Sequence, residues 1–249
     1  MVLKITLILV LRPKMKKLLK RLLPDGLLRW YKSRKGLKNI AKFRTMSTKE
    51  VFTEVYNSKH WRSSESISGA GSEMKQTQSL ISDVDQLLKD MNIGSVLDLP
   101  CGDFNWMQHV DLSKIDYIGA DIVDELIHRN IRRYSERENL TFKVLNLITD
   151  PLPKNDLIIV RDCLVHFSYI DIMNALQNIK LSGSKYLLTT TFTHHHLNQD
   201  IVTGDWRPVN LQEKPFLFPA PVVIINENCT EENGAYRDKS MALWEISKL

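Results

Sequence analysis

Cysteine is scarce in this 249-residue chain: Cys101, Cys163 and Cys229 stand far apart, with no C-x-x-C pair among them. That argues against a disulfide framework and a cysteine-built zinc site, and fits a reducing, cytoplasmic setting. Long hydrophobic runs are missing as well. Residues 2–11 (VLKITLILVL) make up about half the ~20 residues that span a bilayer, and they include Lys4. Arg12, Pro13 and a lysine run follow where a secretory signal would carry a small-residue cleavage site. Neither a membrane span nor export is therefore expected. The G-x-G-x-x-G turn that a nicotinamide dehydrogenase would want is absent, and no internal repeat or low-complexity tract is present.

Acidic residues are nearly missing from one end only. Residues 1–49 hold 15 Lys and Arg against the single acid Asp25, a net +14, whereas residues 50–249 hold 19 against 28, a net −9. The basicity thus belongs to an N-terminal extension, residues 1–45, and not to the part with the apolar content of a core. From Lys14 to Lys35, leucine pairs interleave with Lys and Arg and end in Trp30-Tyr31, a composition suited to a helix at an anionic membrane surface. A flexible basic tail, or leucines docked on the domain, explains the same pattern. The extension suits non-specific phosphate binding too, but the acidic remainder shows no aromatic-rich recognition module, so no specific nucleic-acid partner is expected.

Residues 46–78, which contain SSESISGAGS, read as a loop-rich connection with a short helix at about Thr48–Tyr56. The ordered core is expected from about Ser79, where Leu80, Val84, Leu87, Leu88 and Met91 recur at helical spacing. Strand signals then fall at 95–99, 117–121, 141–147, 156–160 and 184–192, with helix signals near 105–110, 124–134 and 169–180. Ser168 and Asp171 have capping-box spacing at the start of the last helix. Such alternation predicts an α/β fold, a mostly parallel sheet with helices on both faces. After Phe192 an irregular stretch leads to terminal strands at 222–226 and 241–247, whose hairpin order predicts an antiparallel edge.

Ligands of an open parallel sheet sit beyond the carboxyl ends of its strands, so the residues there carry the functional reading. The first strand ends in Asp98-Leu99-Pro100-Cys101-Gly102-Asp103-Phe104, where Gly102 permits close approach of the backbone to a ligand. Asp121 closes the second strand, at the spacing of the acid that binds ribose hydroxyls in nucleotide-binding βαβ units. Read without a ligand, Asp98 caps the following turn and Gly102 is a turn glycine.

Taken in order, VLDLPCGDFNW, YIGADIV, FKVLNL and DLIIVRDCLVHF resemble the successive motifs of class I S-adenosylmethionine (SAM)-dependent methyltransferases. The terminal strand pair resembles the closing hairpin of that Rossmann-like, seven-stranded fold. The similarity covers about residues 79–249, and the preceding WRSSESISGAGS resembles the cofactor-covering segment, within 46–78, of a subgroup associated with polysaccharide assembly. The resemblance implies that Asp98 anchors the methionine amino group, directly or through water, and that Pro100 and Gly102 shape the turn beside it. It further implies that Asp121 takes the ribose, Ile122 packs on the adenine, Asn146-Leu147 meets the adenine edge, and Arg161 borders the cofactor. Pro100 and Phe104 stand where the family usually has glycine, and Asn146 where it often has an acid.

The implied activity is methyl transfer from SAM, leaving S-adenosylhomocysteine (SAH), to a hydroxyl of a sugar or glycan-type small molecule. An RNA methyltransferase and a non-catalytic partner of a glycosyltransferase are the competing readings. An alcohol acceptor must lose a proton, and Asp162 and His166, after the fourth strand, are the catalytic candidates. His166 has an ordinary pKa near 6.5 and suits a base. Asp162 is the base, orients His166 or holds the acceptor; alternatively it simply pairs with Arg161, and His166 is a bonded loop histidine. His194, His195 and His196 follow the fifth strand, but adjacent residues of an extended chain point apart, so no metal site is expected. Residues 203–212, with Trp206, Arg207 and Asn210, read as a lid able to stack on and clamp a polar acceptor.

Overall fold

The computed structural model describes residues 41–61 and 63–249, so the reading of Lys14–Lys35 as a membrane-surface helix lies outside the described residues. Residues 46–249 form one of the chain's two compact units. Their elements are α1 (Thr48–Asn57), α2 (Met74–Asp90), β1 (Ser95–Asp98), β2 (Asp116–Asp121), α3 (Asp124–Arg133), β3 (Leu140–Val144), β4 (Leu157–Val160), α4 (Tyr169–Leu181), β5 (Tyr186–Phe192), β6 (Val223–Asn226) and β7 (Lys239–Glu245). The strands make one sheet in the order β3-β2-β1-β4-β5-β7-β6. Neighbours from β3 to β5 pair in parallel, while β7 pairs antiparallel with both β5 and β6. The antiparallel strand thus lies one place inside the edge, and the edge itself is β6.

Strand periodicity sorts the core into two layers. Val96 of β1, Leu157 and Ile159 of β4, and Met241 and Leu243 of β7 pack on one face with Leu80, Val84 and Leu87 of α2 and Ile127 of α3. Their neighbours Leu97, Ile158, Val160, Ala242 and Trp244 point the other way, onto Ile172, Ala175, Leu176 and Ile179 of α4. Helices therefore cover both faces. Burial on both sides also explains why β4 and β5 read as unbroken apolar or threonine runs and not as alternations.

Two local expectations change. The core does not begin at Ser79: α2 starts at Met74, and Val51 and Val55 of α1 are already buried. The first turns of α2 (MKQTQ) lack the apolar repeat because a threonine takes the buried position: Thr77 is fully buried, its Oγ1 donating back to Glu73 O at 3.0 Å. Likewise, the helix expected near 105–110 is a single 3₁₀ turn, Met107–His109. Phe104 just before it takes a left-handed backbone, φ +58°, which breaks the helical path. At α4, Ser168 Oγ accepts Asp171 N–H at 3.3 Å, whereas the Asp171 carboxylate turns away to Thr203 Oγ1. Only half of the expected capping box forms. Among the described residues no helix is long and apolar enough to cross a membrane.

Candidate active site

The carboxyl ends of β1, β2 and β4 open into a cleft of about 1060 Å3, counted to its mouth. The turn after β1 forms its floor and is fixed from several sides. Leu99 N–H donates to Ile159 O at 3.0 Å, Cys101 N–H to Ala120 O at 2.7 Å, and Asn130 Nδ2 of α3 to Gly102 O at 2.8 Å. Gly102 sits at φ +55°, and a Cβ there would lie 2.2 Å from Ser68 Oγ. Its missing side chain thus admits Ser68 of the 63–72 segment. Phe104, where a glycine would be expected, keeps a glycine-like φ. The strain is about 1–2 kcal/mol, and it is offset by full burial of the ring against Tyr117, Tyr134 and Phe142 at centroid separations of 5.2, 4.9 and 5.4 Å.

Asp121, at the end of β2, presents its carboxylate to the cleft. One oxygen accepts Gly102 N–H at 3.3 Å and the other Val123 N–H at 3.0 Å, which leaves lone pairs on both. Burial pushes its pKa up to about 6, against the pull of those backbone donors. Asp98 lies beneath the cleft and not on its wall. It accepts Tyr117 Oη–H at 2.6 Å, and burial raises it to about 7, opposed by that bond and by Arg161. Ile122, Leu145 and Leu147 supply an apolar side, with Pro100 opposite in the turn. The Asn146 amide oxygen already accepts Ile148 N–H at 2.9 Å, so one of its two lone pairs remains.

Across the cleft, Arg161, Asp162 and His166 also line the wall. Arg161 and Asp162 belong to a buried charge network with two partners that motif reading missed, Glu227 after β6 and Lys239 at the start of β7. Arg161 Nη2 donates to Glu227 at 2.6 Å and to Gly71 O at 2.7 Å. Lys239 Nζ reaches Asp162 at 2.6 Å and Glu227 at 3.2 Å, and Arg161 Nη1 stands 3.5 Å from Asp162. Burial alone would raise the Asp162 carboxyl, but Lys239 and then Arg161 override it and hold the group down to about 2. So Asp162 is an ionised, anchored carboxylate, and the pairing with Arg161 is the geometry it adopts.

His166 departs from its ordinary value too: burial lowers it to about 4, although Asp205 O and Asp162 pull the other way. Its Nδ1 lies 2.8 Å from Asp205 O. A carbonyl only accepts, so Nδ1 carries the proton and Nε2 is left as an acceptor. The ring stacks on Trp61 at 4.2 Å and 30°.

The 63–72 segment is fastened over the cleft at both sides. Ser66 Oγ and Ile67 N–H donate to the Asp103 carboxylate, each at 2.9 Å, while Gly71 O is held by Arg161. A Cβ on Gly71 would sit 3.2 Å from Asp162 Oδ2, a tight contact that a glycine avoids. Asp103, Trp61 and Trp106 are among the cleft residues that motif reading passed over. Asp103 and Trp106 stood inside DLPCGDFNW, but nothing in that pattern named their partners.

The expected lid is mostly scaffold. Arg207 is buried and donates to Leu164 O at 2.8 Å, Phe167 O at 2.7 Å and Gln199 O at 3.1 Å, and Asn210 is buried in bonds with Asn198 and Gln212. Neither is free to clamp an acceptor. Trp206 alone stays exposed. His194 and His195 border a second, separate cavity, and His196 stands 3.3 Å from Glu213. Among the described residues no group of three His, Cys, Asp or Glu side chains could hold a metal ion.

No protein-family model matches the sequence, and no curated protein sequence matches it. Solved structures of similar fold include the methyltransferase domain of a bacterial Hen1, with 16% identity over 68% of this chain and 98% of that one, TM-score 0.49. The PH0226 protein of Pyrococcus horikoshii OT3 is 18% identical over 69% and 89%, TM-score 0.47. Magnesium protoporphyrin IX methyltransferase of Synechocystis PCC 6803, solved with bound SAH, is 18% identical over 48% and 57%, TM-score 0.42. The chain thus spans under two thirds of that enzyme, and 66% of a second Hen1 structure. At such identities the likeness is one of fold.

Proposed function

We propose that the chain is a SAM-dependent methyltransferase that methylates a hydroxyl of a sugar or glycan-type small molecule. The observation that carries this reading is the Asp121 carboxylate, held at the cleft by Gly102 and Val123 N–H groups yet keeping acceptor capacity on both oxygens. A carboxylate so placed suits two vicinal ribose hydroxyls, and the apolar pair Ile122 and Leu147 suits the flat faces of an adenine. The donor set therefore fits an adenosyl cofactor. When bound, SAM supplies a methyl group already activated by its sulfonium.

The remaining work falls to the chain's own residues. Trp61, Phe52 and Phe167 wall the cleft with aromatic surface that keeps water from the reacting groups. His166 Nε2 accepts the hydrogen bond of the acceptor hydroxyl and takes its proton as the methyl arrives. A base near 4 suffices there, because an alcohol oxygen becomes strongly acidic only while it gains the methyl group. Asp162, already paired, holds that wall in place. The net −9 of residues 50–249 disfavours an RNA acceptor.

Calorimetry with SAH tests the cofactor half: measurable heat is expected from the full chain and its loss in Asp121→Ala. Labelled SAM with a panel of mono- and oligosaccharides tests the acceptor half. Absence of SAH binding would sink the whole reading, and transfer to RNA but to no hydroxyl of a sugar would replace its second half.

A further inference from the structure

The second cavity, about 630 Å3 to its open mouth, lies beyond the end of β5. One wall is apolar: Phe192, Pro208 and Tyr236. Trp206 stands beside it, edge-to-face with Tyr236 at 4.9 Å and with Phe192 at 6.2 Å, and is 38% exposed. Exposed tryptophan is costly to leave in water, so its placement beside a concavity is informative.

Polar residues complete the lining: His194, His195, Arg237 and Asp238. Asp238 uses Oδ2 to accept His194 N–H at 3.0 Å, which leaves Oδ1 available. Arg237 donates Nε to Gly234 O at 3.3 Å, leaving its terminal nitrogens. An acid, a guanidinium and imidazoles thus share one cavity with aromatic rings. That pairing matches a ligand with one carbon–hydrogen face and a ring of hydroxyls: carboxylate and guanidinium bind hydroxyls as acceptor and donor, and aromatic rings cover the apolar face.

We propose that this cavity is a binding subsite for a neutral pyranose of the acceptor. Two stretches of chain tie it to the first cleft. Asp205 O holds His166, and Pro208, three residues on, lines the cavity. Lys239 holds Asp162, and Asp238, its neighbour, lines the cavity. The cavity and the wall that carries His166 and Asp162 are thus built from the same two chain segments. That the saccharide is the methyl acceptor rests on the function proposed above, whereas the binding itself does not.

Saturation-transfer NMR with dextran-, mannan- and galactan-derived tetrasaccharides, run beside SAH calorimetry on the same full-chain sample, tests it. Transfer to at least one tetrasaccharide is expected, weakened roughly tenfold by Trp206→Ala as an aromatic anchor is lost, retained by Trp206→Phe, with SAH heat unchanged. Should Trp206→Ala also lose SAH heat and so report misfolding, exposed Arg237→Ala decides: weaker transfer supports the subsite and unchanged transfer overturns it. No transfer to any of the three, or full transfer in Trp206→Ala that still binds SAH, overturns the subsite. SAH heat without sugar transfer would leave the methyltransferase reading standing, and sugar transfer without SAH heat would do the reverse.

Discussion

The two walls of the cleft are built by different means. The β1–β2 wall is made of backbone: a turn pinned by neighbouring strands, with Asp121 held by two peptide N–H groups. Apart from Leu99 N–H on Ile159 O of β4, its contacts join residues within about one βαβ unit. The β4 wall is made of side-chain charge, with Arg161 and Asp162 fixed by Glu227 and Lys239 from the far end of the chain. Backbone geometry can be rigid at little electrostatic cost, while buried ions are stable only as a complete set.

The sharpest way to break this contrast is Lys239→Met. It leaves Asp162 and Glu227 with Arg161 as their one remaining shared cation, and a loss of about 3–5 kcal/mol is expected, read by urea denaturation. A change within the noise of that measurement would mean the four charges do not act together. On the other wall, Phe104→Gly removes a buried ring at about 3–5 kcal/mol but releases about 1–2 kcal/mol of left-handed strain. The net destabilisation expected is about 2–3 kcal/mol, and a loss as large as that of Phe142→Ala would show that no strain was stored.

Asp121→Asn should leave the fold in place and weaken SAH binding by about 1.5–3 kcal/mol, the worth of a hydrogen bond to a charged group. Equal affinity in calorimetry would remove Asp121 from the cofactor site. The smallest effect is one of pH. Asp121 is raised to about 6, so it is ionised above that value and neutral below it. SAH affinity should therefore hold from pH 8 to 7 and fall as pH drops through about 6, and this dependence should be absent in Asp121→Asn. Because the folded group binds its proton more tightly than the unfolded one, its own contribution to stability runs oppositely: full below about 4, lost as pH rises through about 6.

The same contrast explains what was legible in the sequence. The strand–helix alternation and the β1–β2 wall could be read because period-two burial and a strand-end acid are local signals. Phe104 looked like a departure because residue type was visible and its φ was not. Glu227 and Lys239 left no trace, being single charges flanking short strands whose partners lie across the sheet. The expected clamp by Arg207 and Asn210 failed for a related reason: a polar residue in a loop is equally suited to serve a ligand or the loop's own carbonyls. The ordinary basicity assigned to His166 ignored burial, which only the packed structure reveals.

The position of β7 has a consequence for synthesis. β5 is buried along its whole length, and its second partner is β7, with residues 193–238 intervening. While the ribosome is still translating that interval, one side of β5 offers a row of unpaired amides and carbonyls on a strand built to be buried along its whole length. The nascent chain therefore carries an open template for wrong pairing until Lys239–Glu245 emerges to close it.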